Sequence, residues 1–486
     1  MRRFNVRIND EVETVKLIIS LAYLVLIVST VIVILTNNTN TARTTSWLLV
    51  LTILPGIGLI LFYIFGYNAR RGNGYRKKYL VFKNYFLSRM SDEVKARLTA
   101  ADSYVKLDSR YSNLADLMTA NNDSAVLGGS QIEIMTSGGR KLELLIEDIK
   151  KAKHHIHFEY FYFRRDENCR YIRELLMEKA REGVKVRFIY ENIANIDISP
   201  RYYNKMREAG VEVHPFTKNG LPWIRRHLNY RDHRKIVVID GDIGYTGGMN
   251  IGNDYFVKWR DTHLRITGNG VYGLQYNFFH AWFESGGSIP EELDAYFPRT
   301  AGDSENLMQV VPDAPDSPWP FLLMGNAKAV ENARRYIYIQ TPYYLPPDNL
   351  LMSLKAAAIS GVDVRIMLSR RSDIIFMDPA SKSYYEESLR SGIRIYELQD
   401  IFSHAKSFVT DDYLSIMGSA NMDSRSLDLS FELNTYIYDK EIALRNKEIF
   451  FDDMKECKEI ILDEWLKRPW YNKLAQAIVR LFAPLL

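Results

Sequence analysis

The sequence predicts an α/β protein of two tandem lobes related by pseudo-twofold symmetry and preceded by two transmembrane helices. Three observations predict it. Two uncharged apolar runs lie near the N-terminus, a short motif recurs at one fixed offset, and each copy follows alternating strand and helix patterns.

The apolar runs are Leu17 to Leu35 and Trp47 to Phe65, each of 19 residues. At 1.5 Å per residue each helix reaches ~28 Å, close to the ~30 Å hydrocarbon core of a bilayer. The first run exceeds a secretory-signal core and no small-residue cleavage site follows, so it reads as a span. Pro55 and Gly56 fall inside the second run, where a membrane helix tolerates them. Arg2, Arg3, Arg7 and Lys16 precede the first span, only Arg43 lies between the two, and Arg70, Arg71, Arg76, Lys77 and Lys78 follow. This distribution predicts both termini and the bulk of the chain on the cytoplasmic side. Residues 69–127 read as a basic linker lying against anionic headgroups.

The body divides at residue 305 into lobes 128–305 and 306–486. HRKIVVIDGDIGYTGGMN (233–250) and HAKSFVTDDYLSIMGSAN (404–421) share His, Lys, Asp, Gly and Asn at a constant offset of 171 residues. Asp261 and Glu432 extend the same offset. Upstream, HIHFEYFYF precedes a helical stretch from Arg170 to Glu182, Gly183 and the strand VKVRFIYE. YIYIQTPYYL, Leu350 to Ser360, Gly361 and VDVRIMLS repeat that layout. The alternation predicts a mostly parallel sheet in each lobe, and the proline-rich Val310 to Pro320 reads as the linker between them.

The pattern suits a phosphodiester. On a strand, His233 and Lys235 point the same way, as do His404 and Lys406. The ammonium holds a phosphate oxygen while the imidazole reaches phosphorus. Gly247 and Gly248, with Gly418 and Ser419, let the backbone approach, and Asn250 and Asn421 offer amide hydrogens. If the lobes face each other, one imidazole, taken as His233, attacks phosphorus and the other shuttles the proton. Asp261 and Glu432 each follow their own copy's histidine by 28 residues and are expected to hold an imidazole nitrogen. Asp240 and Asp411 end their strands at a turn and read as acceptors that set the loop. Tyr160, Tyr162, Tyr343 and Tyr344 suit either packing or a lipid entrance.

No metal or other cofactor enters this scheme. His155 and His157 share a strand face without an acidic or Cys partner at ligand spacing, and His154, His214, His227, His263 and His280 have no counterpart in the other copy. With 63 basic against 59 acidic residues the net charge is +4, too mild for a nucleic-acid partner, and two cysteines exclude a disulfide framework.

The doubled H-x-K-x4-D motif resembles the phospholipase D superfamily. The paired spans, FGYNARR, WRDTHLRI and the closing RLFAPLL resemble its bacterial cardiolipin synthase branch over nearly the whole chain. The resemblance implies a shared active site at which two phosphatidylglycerol molecules become cardiolipin and glycerol. It carries His233, Lys235, Asp240, His404, Lys406 and Asp411 over as the active-site set, and Asn250 and Asn421 as phosphate contacts. A phospholipase D-type hydrolase, a nuclease and a catalytically dead scaffold are the competing readings. Trp470, Leu474, Ile478, Leu481 and Phe482 line one face of a C-terminal helix, suited either to the membrane surface or to packing on the body.

Overall fold

The computed structural model describes residues 2–37, 41–66, 74–99, 107–122, 124–216, 230–299 and 304–481. Two compact units are distinguished, residues 1–73 with 220–229, and residues 74–219 with 230–486.

In the first unit, helix Arg2–Asn37 carries one stretch, Glu13–Thr36, long and apolar enough to cross a membrane, and only 11% of its apolar window is buried. The second expected span is not one helix. It forms Thr41–Ile53, Pro55–Leu61 and a π-helical turn Phe62–Gly66, broken at Leu54 with φ −130° and ψ 65°. Pro55 causes the break: its ring drives the preceding residue out of the α region and its nitrogen donates nothing. The pieces pack closely, for a Cβ on Gly58 would lie 2.9 Å from the Val50 carbonyl. Arg70 and Arg71, expected to set the orientation, lie outside the described residues, as do the side chains of Arg2, Arg3, Arg7, Arg43 and Arg76.

The second unit holds both motif copies. The first copy builds a seven-stranded sheet in the order Ser130–Met135, His263–Gly268, Ile243–Gly247, Lys235–Ile239, His155–Tyr160, Lys185–Tyr190, Glu212–Pro215. The second builds a ten-stranded sheet whose centre runs Ser430–Tyr438, Leu414–Gly418, Ser407–Thr410, Tyr336–Gln340, Asp363–Ser369, Arg394–Leu398. The expected strand–helix–strand layout is present in both. Helices Glu167–Arg181 and Asp348–Ile359 end before Gly183 (φ +94°) and Gly361 (φ +95°), left-handed positions where glycine avoids the Cβ clash.

The sheets are mixed, not mostly parallel. Each has two parallel pairings, around Lys185–Tyr190 and Asp363–Ser369; the short strand Arg231–Asp232 adds a third in the larger sheet, beside Ser430–Tyr438, and the rest are antiparallel. Helical crossovers account for the parallel strands. The motif strands instead reverse through tight turns at Asp240 (φ +53°) and Asp411 (φ +55°), and a tight turn gives an antiparallel partner.

Two expected linkers are folded. Val310 to Asp313 belong to strand Leu307–Asp313, where Val310 and Val311 are buried against Ser430–Tyr438. Residues 74–87 and 92–99 are helical, and Phe82 and Phe86 are fully buried against Tyr276, Phe279 and Phe283. The basic side chains drew attention in the sequence, but the apolar stripe Phe82, Phe86, Met90 decides the packing.

Candidate active site

The site forms where the two sheets exchange hydrogen bonds. The His233 backbone N–H donates to the Phe431 carbonyl at 2.9 Å, and the His404 N–H donates to the Arg260 carbonyl at 2.7 Å. Phe431 and Arg260 immediately precede Glu432 and Asp261. Each carboxylate is therefore delivered to the imidazole of the opposite copy. Glu432 meets His233 Nδ1 at 2.9 Å and 3.1 Å, and Asp261 meets His404 Nδ1 at 2.8 Å. The matched spacing leaves open which imidazole each carboxylate serves. The pairing is crossed, because the strand-end registers carry each acid over to the other sheet.

An ionised carboxylate only accepts, so each Nδ1 carries a proton, which leaves each Nε2 to hold either a lone pair or a second proton. Lys235 and Lys406 donate to the His233 and His404 carbonyls, each at 2.5 Å. Lys406 Nζ also stands 2.8 Å from His404 Nδ1. All four bases are buried among like charges, and burial is the chief cause of their shifts. The His404 imidazole is pushed down to about 4 by burial and then by Lys406. His233 is lowered by burial, with Glu432 opposing. Lys235 falls to about 7 and Lys406 to about 8, again by burial, with the opposite carboxylates opposing. Burial alone would raise Asp261 and Glu432, yet Lys406 with His404, and His233 with Lys235, hold them below the usual carboxylate range.

The glycines make room for the acids. A Cβ on Gly248 would sit 2.2 Å from Asp261 Oδ1. The second copy has Ser419 there, and its hydroxyl donates to Glu432 while accepting from the Leu433 N–H at 3.0 Å. Gly247 (φ +143°) and Gly418 abut backbone of the neighbouring strand within 2.7 Å of an added Cβ. Asn250 Nδ2 donates to Tyr255 Oη at 2.7 Å, and the Oδ1 atoms of Asn250 and Asn421 are buried without a partner among the described residues.

Asp240 and Asp411 are not brought to the imidazoles. They lie at the far ends of the motif strands, where Asp240 accepts from the N–H groups of Lys153, His154 and His155, and Asp411 from those of Arg334, Arg335 and Tyr336. This placement suits their reading as loop-setting acceptors. Tyr160 and Tyr344 are fully buried packing groups, and Tyr343 Oη donates to Asp373 at 2.6 Å. His155 and His157 are buried in an aromatic cluster with Tyr296, and His227 lies outside the described residues.

Sequence reasoning missed three neighbours. Tyr255 and Trp259 set their rings 5.5 Å and 5.7 Å from His404. Lys141 is completely buried beneath the first motif and donates to the Met249 carbonyl at 2.8 Å. Trp259 stands two residues before Asp261, which was a usable signal. Lys141 is 108 residues from its acceptor and had none.

The family described as cardiolipin synthase, PLD-like domain, matches residues 145–283 and 327–454, and one described as phospholipase D-nuclease N-terminal matches residues 25–66. The chain is 34% identical over 485 residues to the major cardiolipin synthase ClsA of Bacillus subtilis, covering 97% of this chain and 99% of that one. It is 36% identical to cardiolipin synthase 2 of Bacillus anthracis, covering 93% and 89%. Among solved structures, phosphatidylserine synthase of Haemophilus influenzae shares the fold, with a TM-score of 0.57 at 17% identity over 76% of this chain and 97% of that one. The chain belongs to the bacterial cardiolipin synthases, phosphatidyltransferases of the phospholipase D superfamily.

Proposed function

We propose that the enzyme transfers a phosphatidyl group from one phosphatidylglycerol to another, giving cardiolipin and glycerol, at a single site shared by both lobes. The crossed carboxylate–imidazole pairs carry this reading, since each histidine is completed only by the other copy. One Nε2 attacks phosphorus and the glycerol alkoxide leaves, taking a proton from the other imidazolium. The resulting phosphohistidine is then attacked by the acceptor's hydroxyl, whose proton returns to that second imidazole. Lys235, Lys406, Asn250 and Asn421 offset the charge on the phosphoryl oxygens. The surrounding Tyr255, Trp259, Phe402 and Phe161 rings keep water away, favouring an alcohol acceptor.

The lobes are taken as 128–305 and 306–486 about a pseudo-twofold axis, with a membrane anchor at 1–68. Residues 17–35 and 47–65 are proposed as two spans with the catalytic body cytoplasmic; the broken second helix is compatible with a kinked span, and the basic flanks support the orientation. The partners are then phosphatidylglycerol and anionic lipid, not nucleic acid. The test is product stoichiometry from purified full-length protein in phosphatidylglycerol vesicles without added metal. One cardiolipin per glycerol supports transfer. Phosphatidic acid in place of cardiolipin would establish the hydrolase instead.

A further inference from the structure

Three loops that touch the catalytic centre also hold large apolar side chains out into solvent. Tyr255 packs on His404, and two residues on Val257 is 77% exposed. Phe402 packs on Trp259 and His404, and its neighbour Ile401 is exposed. Asp373, which holds Tyr343 and acts electrostatically on Lys406, leads directly into Ile375 and Phe376, 84% and 63% exposed. Large apolar side chains held out in water cost solubility, and their attachment to loops that meet at one centre marks an interaction surface.

The C-terminal helix Trp470–Arg480 adjoins the third loop, packing on helix Met377–Lys382 that follows Phe376. It docks through Val479 and its polar side. Arg480 pairs with Glu387 at 2.5 Å and lies over the Tyr384 ring, and buried Gln476 accepts from Arg468 at 3.2 Å. Its apolar side, with Trp470, Leu474, Ile478 and Leu481, faces solvent. A helix serving only the body would present the opposite face.

We infer that these loops and this helix form a docking surface for the bilayer itself, seating the mouth of the site at headgroup level. A lipid surface fits better than a protein partner because exposed cations, Arg370, Arg371 and Lys473, are interleaved with the apolar groups. That mixture matches anionic phosphodiesters above acyl chains. The inference rests on the phosphatidyl-transfer reading, in which both substrates are membrane lipids.

The test uses the full-length protein carrying Cys457→Ser and one new cysteine, Ile375→Cys, Ile478→Cys or, as the control, Lys455→Cys. Each is labelled with an environment-sensitive fluorophore and reconstituted in phosphatidylglycerol vesicles containing lipids brominated on their acyl chains. Labels at 375 and 478 are expected to lose roughly half of their emission while the label at 455 loses little. Equal, weak quenching at all three positions would overturn the docking surface. A protein partner as the occupant would give that same result. Cardiolipin formation is followed in the same samples, so quenching without product refutes transfer while docking stands, and product without quenching does the reverse.

Discussion

Glu432 holds Nδ1 of His233 at 2.9 Å although 199 residues separate them in sequence. Its counterpart Asp261 holds His404 at 2.8 Å. In the proposed mechanism this reciprocity makes each acid a positioning residue for the other copy's chemistry. Glu432→Gln and Asp261→Asn should each lower kcat by about 10²–10⁴-fold with little change in KM, because the isosteric amide disturbs the tautomer without blocking the site. Steady-state cardiolipin formation checks this, and a loss confined to KM would show that the acids serve lipid binding.

Replacing either imidazole should abolish transfer. His233→Ala and His404→Ala are each expected to reduce turnover by at least about 10⁴-fold. With lipid labelled in its phosphatidyl group, covalent label should persist on one of the two variants only, the one that keeps its nucleophile and lacks the proton carrier. Label on both or on neither contradicts a two-step route with divided roles.

The pH dependence follows from the lysines. Their folded values, about 7 for Lys235 and about 8 for Lys406, lie below the ordinary lysine value of 10.5. Each ammonium is present below its folded value and is lost as pH rises through it. Phosphate binding should therefore weaken from pH 7 to 9, and inorganic phosphate should raise Tm clearly at pH 6.5 and barely at pH 9. In the ligand-free protein the sign for stability is opposite. The unfolded chain binds more protons across that range, so stability rises with pH there. A phosphate-dependent Tm shift of equal size at both pH values would remove the lysines from the site.

Gly248 and Ser419 occupy matching positions with opposite requirements. Gly248→Ser should cost about 1–3 kcal/mol and much of the activity, since its Cβ would collide with Asp261. Ser419→Ala should cost about 1 kcal/mol through two lost hydrogen bonds while leaving measurable turnover. Denaturant melts and initial rates on both variants check the asymmetry.

Asp240 and Asp411 should behave as structural residues. Asp411→Ala removes the acceptor of three backbone N–H groups at a left-handed turn and should destabilise by about 3 kcal/mol. The folded fraction should keep near-normal kcat. A stable but inactive variant would return this residue to the chemistry.

The periodicities and the repeated motif made the strand–helix–strand units, their glycine ends and the convergent His–Lys pairs legible in the sequence. Four things were not. Crossed pairing depends on the contact between Phe431 and His233, which offset arithmetic cannot express. Val310 and Val311 were obscured by the prolines that follow them, although their β-branched side chains suit a buried strand. The break at Leu54 was read as tolerance of Pro55, whereas the local sterics of the residue before proline prevailed. Lys141 acts across a distance that no short pattern spans.

Since every imidazole borrows its acid from the opposite half, neither half alone would own a finished catalytic apparatus. A forebear encoding just one such half would have needed to associate with its twin, and doubling of the gene would then have fused a working homodimer into one polypeptide. The unlike tenants at positions 248 and 419 show that the two halves no longer have to match residue for residue.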